Sequence, residues 1–146
     1  MNWDLTKIYK TKEDYQADLG FVKESISKFS SYQSHLNDVN KLLEFVKFSD
    51  EVEIKLSKLF TYAHMNFDLN QKNVEALQEY QIVYGVYMEL IQASSFVNSE
   101  LVSIGKEILD NFLATNLELK PYSFMIEKLF NNQAHILTTD KELLLS

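Results

Sequence analysis

Cysteine is absent from this chain, which excludes a disulfide framework, a thiolate metal site and a cysteine nucleophile. Proline occurs once, at Pro121, and glycine three times, at Gly20, Gly85 and Gly105. So few breakers leave little material for tight turns, and long helices are expected in place of a sheet of short strands. The scattered glycines also exclude a glycine-rich phosphate loop and a Gly-x-Ser-x-Gly elbow. The longest aliphatic run, Leu143–Leu145, is far too short to span a bilayer. Basic residues are outnumbered, 14 against 21 acidic, for a net charge of −7, and they form no dense cluster. Nucleic acid and anionic membrane surfaces, which are bound by neutralising phosphates, are therefore not expected partners. No export signal opens the chain, so a cytoplasmic location is expected.

What remains is 146 residues, 46% apolar and 24% charged, the balance of an ordinary globular domain. The residues after an extended lead-in, 1–10, begin a first helix. Thr11 can cap it, Glu13 and Asp14 suit its positive end, and Tyr15, Leu19, Val22, Ile26 and Phe29 form one stripe. The polar stretch 30–38 should end that helix. Leu36, Val39, Leu42, Leu43 and Val46 mark a short second one. Ser49 and Asp50 can cap a third, with the stripe Val52, Leu56, Leu59, Ala63 and Phe67. The turn-forming segment 66–73 reads as a connection.

The fourth helix, about 74–96, is expected to be the longest and to lie centrally in a bundle. Val74, Leu77, Tyr84, Met88 and Ile91 share one face, and Tyr80, Val83, Tyr87 and Leu90 an adjacent one. Gly85 in its middle costs about 1 kcal/mol relative to alanine, which close approach of a neighbouring helix would explain. A fifth helix spans about 105–114 and buries Ile108, Leu109, Phe112 and Leu113. Pro121 suits the first turn of a sixth, which buries Tyr122, Ile126, Leu129 and Phe130. Thr139 and Glu142 read as a capping box for a seventh. The expectation is one all-α domain over 1–146, a bundle of about six to seven helices with one long central helix. The chain stops one or two turns into the seventh helix, which reads as a truncation. Its severed apolar helices would then favour self-association.

Chemistry-bearing residues are sparse. A helical zinc site wants two histidines at i and i+4 with a glutamate between them. His35, His64 and His135 are all more than twenty residues apart. His64 and Asp68 stand at i and i+4, but two ligands are too few, and a structural pair is the preferred reading. Glu51 and Glu53, and Glu75 and Glu79, read as solvated faces rather than as general acid and base. The tyrosines Tyr80, Tyr84 and Tyr87 are core by their spacing, or the lining of a peptide-binding surface. No catalytic, cofactor-binding or metal-binding residue is expected.

The order of segments carries a resemblance. Trp3-Asp4-Leu5-Thr6 comes first, then Tyr9, Tyr15 and Leu19. Next is Leu59-Phe60-Thr61-Tyr62-Ala63-His64, followed by Asp68 and Asn73. The segments Ser94-Ser95-Phe96, Glu100-Leu101, Ser103-Ile104 and Phe112-Leu113 come after it. Tyr122, Leu129, His135, Leu137 and Glu142-Leu143-Leu144 complete the series. Over essentially its whole length the chain resembles the N-terminal region of oligoendopeptidase F peptidases. Gly105 and Ala134 stand where that family often has proline.

The resemblance implies an all-α cytosolic zinc metallopeptidase that hydrolyses short oligopeptides. Its metal would be held by a His-Glu-x-x-His helix and a later glutamate, none of which occurs here. It implies no cofactor in this chain, zinc in the full-length parent, and a noncatalytic domain covering the substrate channel. The partners implied are the rest of the parent peptidase and short peptides. The competing reading is a stand-alone helical module that binds a peptide or protein partner.

Overall fold

Thr11 opens the first helix as its residue type predicts. Its hydroxyl accepts from the Asp14 backbone N–H at 3.1 Å, and helix α1 runs Lys12–Ser31. These are details of a computed structural model that describes residues 5–132. Tyr15, Leu19, Val22 and Phe29 are buried along α1, and Ile26 is half-buried. The residues before it are not wholly extended: Leu5–Lys7 form a turn of 3-10 helix, and Tyr9 is buried behind it.

The expected second and third helices are a single one. Helix α2 runs Val39–Leu69, 31 residues without interruption, and is the longest in the chain's described part. Ser49 and Asp50 lie inside it and cap nothing. The reason is legible in the burial. Leu42, Phe45, Val46, Phe48, Val52, Leu56, Leu59 and Ala63 are all buried, so the apolar stripe passes through the Ser-Asp pair unbroken. No glycine or proline falls between 39 and 69 to stop the helix. It also extends through Leu69, so the connection is confined to 70–73.

Asn73 caps helix α3, Val74–Ala93, by accepting from the Glu75 N–H at 2.9 Å. A short helix not expected above, α4, follows at Phe96–Ile104. Gly105 then turns the chain with a φ of +98° and opens α5, Lys106–Thr115. Proline, locked near −65°, cannot take that angle, so the turn departs from one built on proline. In α5 only Leu109 is buried, and Ile108 is exposed, against expectation. Pro121 lies within a 3-10 helix, Leu117–Tyr122, that leads into helical residues 123–132, where Ile126 is buried. The expected seventh helix and His135 lie outside the described residues.

No strand occurs among the described residues, and the fold is all-α. The chain divides into two compact units. One comprises the residues up to Tyr32 with Glu44–Ser95, and the other comprises Gln33–Leu43 with the chain from Phe96 onward. In the first, α1 packs on α3. In the second, α5 packs on α4 and on the 3-10 helix, while the Glu100 carboxylate accepts from the backbone N–H groups of Ser34 and Leu36.

Candidate functional site

The first unit is held by an aromatic knot. The rings of Tyr9 and Tyr15 meet edge to face at 5.5 Å, and Tyr62 of α2 lies 5.5 Å from Tyr9 and 4.9 Å from Tyr15. The Tyr9 hydroxyl donates to Asp18 at 2.8 Å, and the Lys58 ammonium sits 4.7 Å over the Tyr9 ring. Burial, and then the hydrogen bond to Asp18, push the Tyr9 phenol well above its ordinary pKa. Tyr15 is raised too, first by burial and then by the nearby Glu79 carboxylate. The Tyr15 hydroxyl has no hydrogen-bond partner. Glu79 itself is partly buried, not solvated: Lys12 of α1 lies 4.0 Å from one oxygen, and Asn66 of α2 donates to the other at 3.4 Å.

Around α3 lies a second aromatic group, facing outward. Phe60 of α2 meets Tyr80, Tyr84 and Tyr87 at 6.0, 6.3 and 5.5 Å, each time edge to face. Phe67 stacks on Tyr80 at 5.8 Å, and the His64 ring stands edge-on to it at 5.9 Å. Tyr84 and Tyr87 are exposed, so these rings form a shelf and not a core. His64 does pair with Asp68, Nδ1 to Oδ2 at 3.1 Å, and both are about half exposed. Among the described residues no group of three or more histidines and acids comes together to hold a metal. His35, Glu51, Glu53 and Glu75 are exposed and separate.

The largest departure from expectation concerns the rest of α3. Its buried side chains are Ala76, Val83 and Val86, whereas Val74, Leu77, Tyr84, Met88 and Ile91 are exposed. The apolar arc is as wide as its sequence says, but only part of it is covered. Nor does a neighbour crowd Gly85: a Cβ placed there would meet nothing within 4 Å. Gln78, Gln81, Gly85 and Gln92 border the open stripe and are exposed as well. The exposed side of the helix also carries Ile82, with the exposed Glu75 and Glu89 beside it. Periodicity reports which residues are apolar, and leaves open whether their cover is supplied by the same chain.

A family model described as Oligopeptidase F matches residues 100–146. Over 149 aligned positions the chain is 32% identical to the plasmid oligoendopeptidase F of Lactococcus lactis subsp. cremoris, covering 100% of this chain and 25% of that protein. It is 30% identical to the oligopeptidase PepF of Bacillus subtilis, covering 99% of this chain and 22% of that one. The fold is also that of a solved structure of a presumed peptidase from Chlamydophila abortus. There the TM-score is 0.74 at 24% identity, over 94% of this chain and 25% of that one. The chain thus spans about a quarter of the length of the curated relatives it matches.

Proposed function

This chain belongs to the oligoendopeptidase F family, matching its N-terminal region, and from that premise we propose that it is the noncatalytic helical domain of a zinc peptidase that cleaves short oligopeptides. In that role it covers the substrate channel of the catalytic part of a longer polypeptide in the cytoplasm. The observation that carries the reading is the alignment itself, which takes in the whole of this chain and only a quarter of each relative. His64 and Asp68 offer two ligands where zinc takes three or four from protein, so the described residues do not fit a zinc site, and no hydrolytic step is assigned to them. No described helix is long and apolar enough to cross a membrane.

The shelf of Phe60, Tyr80, Tyr84 and Tyr87 is the surface that would meet peptide. Flat rings with hydroxyls at their edges give apolar contact area with little side-chain entropy to lose, and they accept many sequences. The test is a titration of the 146-residue chain with mixed short peptides, followed by nuclear magnetic resonance, beside assays for bound zinc and peptide cleavage. Shifts centred on Tyr80, Tyr84 and Tyr87, with no stoichiometric zinc and no turnover, are expected. Zinc-dependent cleavage by this chain alone would overturn the noncatalytic assignment, and unmoved tyrosine signals would overturn the role of the shelf.

A further inference from the structure

Three rings of the first unit already seat a cation. The ammonium groups of Lys28, Lys55 and Lys58 lie 4.5, 4.3 and 4.7 Å from the ring centroids of Phe48, Phe21 and Tyr9. The negative face of an aromatic ring attracts them. Two rings of the shelf are far more open, Tyr84 at 49% and Tyr87 at 39% against 9% for Phe48 and 6% for Tyr9. Yet among the described residues no lysine lies over them. The sequence says why. Helix α3 contains no lysine or arginine. The two lysines of α2 nearest Phe60 in sequence, Lys55 and Lys58, are the ones turned to Phe21 and Tyr9.

What borders the shelf on α2 is acidic. Glu53, Phe60, His64 and Asp68 follow at spacings of 7, 4 and 4, which places them on one side of the helix. Glu53 and Asp68 stand about 10 and 12 Å from Phe60 along the axis, at about 1.5 Å per residue. Both are exposed. His64, which could add positive charge, has Asp68 3.1 Å away to counter it, and the next lysine, Lys72, comes after the helix has ended.

We infer that the shelf selects peptides carrying a basic side chain, arginine above all, seated over Tyr84 and Tyr87 in the field of Glu53 and Asp68. A guanidinium is planar, so it stacks on a ring while its edge still donates to a carboxylate or a phenol. The carboxylates act over about a Debye length at physiological salt, so they add attraction that high salt removes. This selectivity rests on the shelf being the surface that meets peptide.

Titration of the 146-residue chain by nuclear magnetic resonance tests it, with three peptides of one sequence whose central residue is arginine, glutamine or glutamate. Arginine should bind about threefold more tightly than glutamine, as a cation over an exposed ring does. Glutamate should bind more weakly than both, and the spread should narrow as salt rises. Tyr84→Leu combined with Tyr87→Leu keeps apolar area and loses the ring faces, so it should erase the preference for arginine over glutamine. Glu53→Gln combined with Asp68→Asn should reduce the penalty on glutamate, while Glu89→Gln, turned away from the shelf, should change neither. Equal affinity for the three peptides would overturn the selectivity and leave the contact role of the shelf standing. Binding of none would overturn both. The same order of affinities in the double leucine variant would trace it to the net charge of −7 rather than to the shelf, and would overturn the selectivity as well.

Discussion

The backbone N–H of Leu36 donates to the carboxylate of Glu100 at 3.3 Å, across 64 residues of sequence, and the Ser34 N–H donates to the other oxygen. One side chain of α4 thereby satisfies two donors of the turn that precedes α2. Ser34 holds a φ of +71° in that turn, an uncommon angle for a residue other than glycine. Glu100→Ala leaves both donors without their acceptor, and should cost about 2 kcal/mol, the range for bonds to a charged group. The fall in the urea midpoint at constant slope measures it. A loss below a few tenths of a kcal/mol would mean that the turn is held by something else.

Continuity of α2 makes a sharper prediction. If Ser49 capped a separate helix, Asp50 would be its first residue, a position where proline is welcome. In the continuous helix the same proline removes an interior hydrogen bond and clashes with the preceding turn, at about 3 kcal/mol or more. Asp50→Pro should therefore unfold or severely destabilise the first unit, and a variant of near-native melting temperature would contradict the unbroken helix.

That case also marks how far the sequence could be read. Thr11 opened α1 as its type predicts, because a local hydroxyl and the amide three residues on decide the matter. Ser49-Asp50 offered an equally good cap, yet burial of Phe48 and Val52 on either side makes carrying the helix through more favourable than starting anew. The short helix α4 went unread although Val97, Leu101 and Ile104 stand at spacings of four and three, because nine residues repeat that pattern too few times to mark a stripe. For the candidate site, the tyrosines of α3 were legible as a cluster. Their exposure was not, since it depends on what covers them.

The two buried tyrosines of the knot should respond oppositely to loss of their hydroxyls. Tyr9→Phe removes a made hydrogen bond to Asp18, and should cost about 1 kcal/mol. Tyr15→Phe removes a hydroxyl buried without a partner, and should leave stability unchanged or raise it by about 1 kcal/mol. Matched thermal and urea denaturation of the two variants decides it. Equal losses would show that Tyr15 is satisfied after all.

Alkaline pH acts on the same groups. Burial, and then the bond to Glu44, push the Tyr32 phenol up to about 12, and Tyr9 and Tyr15 are raised as well. Each lies above the unfolded value of 10.0, so the unfolded chain gives up these protons first. Their contribution is complete below about pH 10 and disappears as pH climbs through the folded-state values, beginning with Tyr32 near 12. The melting temperature should fall steeply over that window, together with a late, cooperative rise in tyrosinate absorbance. Tyr32→Phe should shift the onset, whereas a smooth absorbance rise centred at 10 for all eight tyrosines would show that none is protected.

Glycine substitutions separate space from backbone angle. Neither Gly85 nor Gly105 has an atom within 4 Å of where a Cβ would stand, so crowding distinguishes nothing between them. Gly85 lies in the middle of a regular helix, where alanine is the better residue by about 1 kcal/mol. Gly105 sits at a φ of +98°, which any residue with a Cβ adopts only under strain. Gly85→Ala should thus stabilise the chain, while Gly105→Ala should destabilise it by about 1 kcal/mol or more. Because the chemical change is identical, the difference in sign isolates the backbone. If Gly105→Ala proved neutral, the turn between α4 and α5 would have to relax to a negative φ.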